Sequence, residues 1–163
     1  MWIVYHGYQL CSTPLLAAII HCHLFAPTDN SAVAISSGSD SLPPCEDTIF
    51  QLWRDIAIDK PSAVLSLFGI DNSRNKIFAL GHKRFFIILQ RTVKAGLKLT
   101  NANQAIVWVD TTVASNILLE LGVWLMKRCA PTDEYFFHTL IHRGIKISVP
   151  RVFDLVRRTY SSI

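Results

Sequence analysis

Side chains that could bind a ligand or transfer a proton follow the first apolar run of this chain, "WIVY". They are His6, Tyr8, Cys11, Ser12 and Thr13. Pro14 then opens an apolar helical pattern, in whose first turn its missing N–H costs nothing. The free N–H groups at the start of that helix, with the Ser12 and Thr13 hydroxyls, could hold a phosphate or a carboxylate. The pattern therefore predicts a ligand-binding loop between a strand and a helix.

Later apolar runs also end in polar residues. His82 and Lys83 follow "KIFALG", Asp110, Thr111 and Asn116 follow "AIVWV", and His142, Arg143 and Lys146 follow "YFFHTLI". Ligands of open α/β sheets bind beyond the carboxyl ends of the parallel strands, so these residues are candidate ligand contacts. Lys83 would add positive charge. Asp110, the candidate catalytic residue, could bind a metal, orient a hydroxyl or act as a base, or it could simply cap the next helix.

No complete catalytic motif accompanies these residues, so the sequence leaves enzymatic activity undecided. A phosphate-binding G-x-x-x-x-G-K-[ST] loop starting at Gly7 would need Gly and Lys where the chain has Ser12 and Thr13. The dinucleotide fingerprint G-x-G-x-x-G and the nucleophile turn G-x-S-x-G are absent. Cys11 precedes a helix start, but "CSTPLLA" offers no Arg to clamp a phosphate as a cysteine phosphatase would need.

The sequence predicts no metal site. "HCH" at His21 to His23 places three potential ligands on one helix, where residues one and two apart point in different directions. Mg²⁺ is expected only if Asp110 is functional, and no other cofactor is indicated. The four cysteines form no C-x-x-C pair, so we expect free thiols.

Length and composition predict a single domain spanning residues 1–163, with a Ser- and Pro-rich internal loop at about 26–44. Half of the residues are apolar and 17% are charged, which is enough apolar material for a substantial core. The apolar stretches are too short to span a bilayer, and no Lys or Arg precedes the first, so we expect a cytoplasmic protein without a membrane span. The net charge of +4, without a dense basic stripe, predicts no nucleic-acid partner.

Apolar runs that alternate with helical patterns predict an α/β fold of the Rossmann-like kind. We expect three layers, with helices on both faces of a mostly parallel sheet of about five strands. The segments "WIVY", "AIVWV" and "FHTLI" are predicted to lie parallel, and "AVLSLFGI" and "KIFALG" to form one antiparallel hairpin around the polar turn "DNSRN".

Four segments resemble, in the same order, an uncharacterised domain-of-unknown-function family of spore-forming Firmicutes. They are "IVYHGYQLCSTPLLAAIIH", "KIFALGHKR", "IVWVDTTVASN" and "RGIKISVPRVFDLV". The resemblance implies a sporulation-associated lineage and a site at the first loop, but no reaction. The family's first loop reads approximately Tyr-His-Cys-Tyr-Gly-Gly-x-His-Ser-Ser. This chain has Gln9 and Leu10 at the positions of the family's two glycines, and Ser12 at the position of its second His. The resemblance therefore implies a divergent loop with reduced or altered binding.

Two hypotheses remain open from the sequence. The first is an α/β protein that binds an anionic small molecule such as a phosphate, either as a phosphate-processing enzyme or as a descendant of one. The second is a non-catalytic interaction protein, a homo-oligomer whose high apolar content covers a partner surface. The replaced loop glycines favour the second, and the polar strand ends favour the first.

Overall fold

Four strands and five α-helices occur in the part of the chain that the computed structural model describes, residues 1–25, 45–57, 65–82, 84–100, 104–128 and 134–163. The strands are β1 (Trp2–Gly7), β2 (Ser66–Ile70), β3 (Lys76–Gly81) and β4 (Ile106–Asp110). The helices are α1 (Thr13–Phe25), α2 (Glu46–Ala57), α3 (Phe86–Leu99), α4 (Ile117–Met126) and α5 (Glu134–Ser161). The predicted internal loop at 26–44 and Lys83 lie outside the described residues.

The strands form one open mixed sheet in the order β2-β3-β1-β4. β1 runs parallel to β3 on one side and to β4 on the other, whereas β2 pairs with β3 in antiparallel fashion. The α/β class, the parallel pairing of "WIVY" with "AIVWV" and the antiparallel hairpin are therefore confirmed. The register sets His6 beside Leu80 of β3 and beside Asp110 of β4.

The predicted strand "FHTLI" is wrong, because this segment lies within α5. Its apolar residues look like a short buried strand when taken alone. In the helix, Phe137, Ile141 and Ile145 recur at four-residue spacing and are all buried, and the pattern continues beyond the exposed Pro150. The described sheet thus has four strands rather than about five.

The residues expected at the end of that strand also lie on α5. His142 and Lys146 lie on α5, where their side chains pair with Asp47 and Glu46 of α2 at 2.9 Å and 3.8 Å. Arg143 is an exposed residue of the same helix. His142 and Lys146 therefore join α5 to α2 instead of following a strand of the sheet.

The two faces of the sheet are covered unequally. Ile3, Tyr5 and Ile77 belong to the large core beneath α1, which α2 and α5 extend. The opposite face carries a small cluster centred on Val4, Phe78 and Leu80, which half-buried residues including Leu89 of α3 cover. Among the described residues, no helix is long and apolar enough to cross a bilayer.

A buried polar chain anchors the β2–β3 turn to α1. The Tyr5 hydroxyl lies 2.7 Å from His21 Nδ1, and His21 Nε2 lies 3.4 Å from Asp71 Oδ2. Asp71 accepts hydrogen bonds from the backbone N–H and the side-chain amide of Asn75, at 2.8 Å and 3.0 Å. Burial lowers the pKa of His21 despite the opposing effect of Asp71, so a neutral imidazole links the two. These hydrogen-bonded side chains fix the turn from which β3 starts.

Two glycines allow α4 and α5 to pack closely. A Cβ at Gly144 would lie 2.5 Å from the backbone nitrogen of Leu119, and a Cβ at Gly122 would lie 2.7 Å from Ile141 Cγ1. Real Cβ atoms do not approach other atoms so closely, so a side chain at Gly144 would push the backbones of the two helices apart and one at Gly122 would displace the Ile141 side chain. A Cβ at Gly96 of α3, by contrast, would have no other atom within 4 Å.

We predict that Gly144→Ala destabilises the protein by about 1–3 kcal/mol because the new methyl group overpacks the helix contact. Gly96→Ala is the matched control, and it should instead stabilise by about 0.5–1 kcal/mol by raising helix propensity at an open position. Urea denaturation of the three proteins measures both effects. An unchanged midpoint for Gly144→Ala would contradict the described packing of α5 on α4.

Candidate functional site

Three polar side chains from separate segments meet at the carboxyl edge of β3, β1 and β4. His6 is the last residue but one of β1, on the face of Val4, and it is only 5% exposed. His6 Nδ1 lies 3.3 Å from Nε2 of His82, which follows β3 directly. Asp110 ends β4 at the position paired with His6. We call His6, His82 and Asp110 the edge cluster.

Aromatic rings hold the His6 imidazole in place. Phe86, the first residue of α3, stacks on it with ring centroids 3.8 Å apart and planes 18° apart. Trp108 presents an edge to the His6 ring at 6.2 Å and to the Phe86 ring at 5.6 Å. Sequence reasoning missed both residues, although strand alternation could have placed Trp108 on the face of Asp110 because the two are two residues apart.

The cluster combines a neutral imidazole with a carboxylate. Burial lowers the pKa of His6 to about 4, with Asp110 opposing the shift and His82 adding to it. Partial desolvation would raise the pKa of Asp110, but hydrogen bonds from Thr112 and the two nearby histidines lower it. The Thr112 hydroxyl and N–H donate to Asp110 Oδ1 at 2.7 Å and 2.9 Å. At neutral pH, His6 is therefore uncharged and Asp110 is ionised.

The first loop is packed into the core. Leu10, Cys11 and Ser12 are fully buried, and Thr13 is nearly so. The Ser12 N–H and hydroxyl both donate to the Gln9 carbonyl oxygen, at 3.3 Å and 2.8 Å. The two Ser12 donors that could have faced an anion at the start of α1 are thus used within the loop.

Contacts beyond the loop explain why it is buried. A Cβ at Gly81 would lie 2.2 Å from the backbone nitrogen of Leu10, so only glycine at the end of β3 lets the loop approach. Trp53 Nε1 of α2 donates to the Cys11 carbonyl oxygen at 2.8 Å, and the Cys11 thiol lies 3.7 Å from the Ala57 carbonyl oxygen. Cys11 is therefore an enclosed residue of the core.

Two further predicted residues act within the protein. The Thr111 hydroxyl donates to the His6 carbonyl oxygen at 2.9 Å and lies 3.1 Å from the Thr13 hydroxyl, so it ties β1, β4 and α1 together. Asn116 caps α4, because its Oδ1 accepts a hydrogen bond from the Leu118 N–H at 2.8 Å. Tyr8, in contrast, is 48% exposed.

A shallow groove of about 400 Å³ lies next to the edge cluster, which it adjoins through Thr112. Its walls come from the two loops at the carboxyl edge and from α4, and the lining residues are Tyr8, Gln9, Thr112, Ser115, Ile117, Glu120, Leu121 and Trp124. Ser115 donates to Glu120 Oε1 at 2.9 Å, whereas the buried Glu120 Oε2 has no hydrogen-bond partner among the described residues. The groove thus has aromatic and aliphatic walls with a carboxylate among them.

Within the described ranges, no three His, Cys, Asp or Glu side chains are arranged to hold a metal ion. Mg²⁺, however, is usually held by one or two carboxylates together with the phosphates of a substrate. Asp110 Oδ2 accepts neither of the hydrogen bonds from Thr112, so it is the oxygen of the edge cluster that could contribute to such a site.

Residues 62–160 match the profile of a family described as a protein of unknown function, DUF3189. The chain belongs to this family. The matched range includes His82 and Asp110 and begins after the first loop. No curated protein and no solved structure matches the chain significantly. The resemblance to an uncharacterised family is therefore confirmed, while the lineage inferred with it stays a prediction.

We predict that acidification destabilises the protein through His6. Its pKa is about 4 when folded and near 6.5 when unfolded, so the unfolded chain binds more protons between these values. The contribution of a neutral His6 to the free energy of unfolding is fully present above pH 6.5 and is lost as the pH falls towards 4. Urea midpoints at several pH values should fall more steeply for the wild type than for His6→Asn, in which His21 is retained. Parallel curves would contradict the buried neutral state of His6.

Proposed function

We propose that the protein binds a small ligand at the edge cluster, with His6 and His82 as hydrogen-bonding groups and Asp110 as the charged group. The observation that carries this proposal is the convergence of two imidazoles and a carboxylate from three segments, at the sheet edge where α/β proteins bind ligands. Asp110 is exposed and ionised beside the buried His6 and the half-buried His82, and its Oδ2 lies outside the hydrogen bonds that Thr112 donates to Oδ1.

The ligand proposed is a phosphate or another anion that binds together with a divalent cation. Neutral imidazoles can donate hydrogen bonds to anion oxygens. The negative charge of Asp110 would repel a bare anion, so a cation such as Mg²⁺ must lie between the two. The start of α1 is a poor alternative anion site, since Ser12 is buried and its donors are bonded to Gln9.

The chemistry of His6 supports binding more than catalysis. A general base works best when its pKa is near the operating pH, and a pKa of about 4 makes the His6 imidazole a weak base at neutral pH. The first loop points the same way: the resemblance implies glycines at the positions of Gln9 and Leu10, and Leu10 instead packs closely against Gly81. We therefore favour a binding protein that descends from a phosphate-processing enzyme.

Self-association is a second candidate, and it rests on α4. Ile117, Leu121 and Trp124 recur at helical spacing on one side of the helix and are 80%, 43% and 43% exposed. Val113, just before the helix, is 75% exposed. Such a row of large apolar side chains is typical of a surface that another protein chain covers.

Calorimetry tests the ligand proposal. We expect ATP, GTP or inorganic phosphate to bind only when Mg²⁺ is present. Asp110→Asn should weaken that binding at least tenfold, since a charge-assisted contact contributes about 1.5–3 kcal/mol. Asp154→Asn, at an exposed position of α5, is the matched control because it removes the same charge, and it should bind as the wild type does. Tight binding that needs no Mg²⁺ and survives Asp110→Asn would reject the proposed role of Asp110.

Sedimentation analysis tests the second candidate. If α4 forms an interface, the wild type should sediment as a dimer, and Ile117→Ser with Leu121→Ser should convert it to a monomer, because each buried aliphatic side chain contributes about 1.5–3 kcal/mol. The control is Leu67→Ser in β2, where the side chain is 53% exposed, and this variant should sediment as the wild type does. A wild-type monomer at all accessible concentrations would exclude this interface.

A further inference from the structure

Helix α3 presents two rows of side chains on the side that faces away from the sheet. One row, named the basic stripe for its three cations, consists of Ile87, Arg91, Lys94 and Lys98. The row beside it, named the apolar stripe although it includes Thr92, consists of Ile88, Thr92, Ala95 and Leu99. Each stripe follows the spacing i, i+4, i+7, i+11, which places its members on one helix face. All eight residues are exposed, with Ile88 at 61% and Leu99 at 86%.

Nothing in the described part of the chain covers or neutralises this surface. α3 contains no buried residue, and its contacts with the sheet run through Phe86 and Leu89 on its inner side. Within the described residues, no ion pair involves the three cations of the basic stripe. The sequence from Arg84 to Val109 contains four basic residues and no Asp or Glu. The outer face of α3 therefore carries concentrated positive charge next to exposed aliphatic side chains.

We propose that the outer face of α3 binds the surface of membranes that contain anionic lipids, with the helix axis in the plane of the interface. The basic stripe would meet lipid headgroups, and Ile88, Leu99 and the exposed Phe85 would enter the boundary of the acyl chains. An exposed helix with cations on one side and aliphatic side chains beside them has the composition that such binding requires.

The charge and the side-chain sizes favour a lipid surface over other occupants. A second copy of α3 would bring one basic stripe against another and be repelled. Nucleic acid would neutralise the cations but leave Ile88 and Leu99 in water. A protein groove recognises large anchors at successive turns, whereas the middle positions of the apolar stripe are only Thr92 and Ala95. A lipid interface adapts its shape and needs no such anchors.

Docking through this face is compatible with the edge cluster but does not depend on it. Phe86, which stacks on His6, lies on the opposite, inner side of α3. The helix could therefore lie on a membrane while the His6 contact is kept. A failure of membrane binding would therefore not affect the proposal for the edge cluster. A failure of ligand binding would likewise not affect the proposal for the outer face of α3.

Flotation of the 163-residue chain with lipid vesicles tests the proposal. We expect binding to vesicles of phosphatidylcholine and phosphatidylserine at least about tenfold tighter than to phosphatidylcholine alone, with release at high salt. Lys94→Glu with Lys98→Glu should weaken binding at least about 25-fold, since each basic residue near an anionic surface contributes about fivefold. Ile88→Ser with Leu99→Ser should weaken it about tenfold or more.

The matched control is Arg151→Glu with Arg158→Glu, which changes the net charge equally at exposed positions of α5. This variant should bind within about twofold of the wild type, because distant charges are screened by salt. Circular dichroism establishes that each variant is folded. If the charge-reversed α3 variant does not fold, Lys94→Gln with Lys98→Gln and the lipid-composition series with the wild type decide the question.

Several outcomes would overturn the proposal. They are equal binding to neutral and anionic vesicles, no binding to either, and equal loss of binding in the α5 control. Polyglutamate provides a soluble acidic probe: if it binds as tightly as the anionic vesicles and Ile88→Ser with Leu99→Ser has no effect, the partner is an acidic protein. If those serine substitutions abolish a dimer in the absence of vesicles, a second copy covers the helix instead.

Discussion

The position of β1 between two parallel neighbours is the constraint on which the rest of the structure depends. β3 on one side and β4 on the other use the hydrogen-bonding groups of both β1 edges, and the strand is buried from Ile3 to Gly7. Because all three strands run in the same direction, their carboxyl ends reach one edge of the sheet. His6, His82 and Asp110 therefore meet there although they are far apart in sequence.

The same strand serves two separate polar structures on its two faces. Tyr5 points into the core, where it joins His21 and Asp71, and His6 points to the other face, where it meets His82 and Phe86. A shift of the β1 register by one residue would exchange these side chains between the faces and leave both sets without partners. Burial acts on both histidines in the same direction by lowering their pKa values, which ties each polar structure to correct folding of the sheet.

Elements that depend on local pattern were predictable from sequence, and elements that depend on distant contacts were not. The hairpin, the parallel pair "WIVY" and "AIVWV" and the helix after Pro14 follow from periodicity and turn residues. The segment "FHTLI" was misassigned because five residues cannot distinguish a buried strand from one turn of a long helix. The strand-end rule found His6, His82 and Asp110, but the burial of Ser12 depends on contacts with Trp53 and Gly81, which no local pattern encodes.

The first loop is stabilised by the residue that fills the space between it and β3. Leu10 is fully buried against Gly81, and burying a leucine side chain contributes about 1.5–3 kcal/mol. A leucine at this position therefore stabilises the loop, and its side chain prevents the close backbone approach that a glycine would allow. The accessible polar side chains at this sheet edge therefore lie outside the buried part of the loop, in the exposed Tyr8, Asp110 and Thr112 and the half-buried His82.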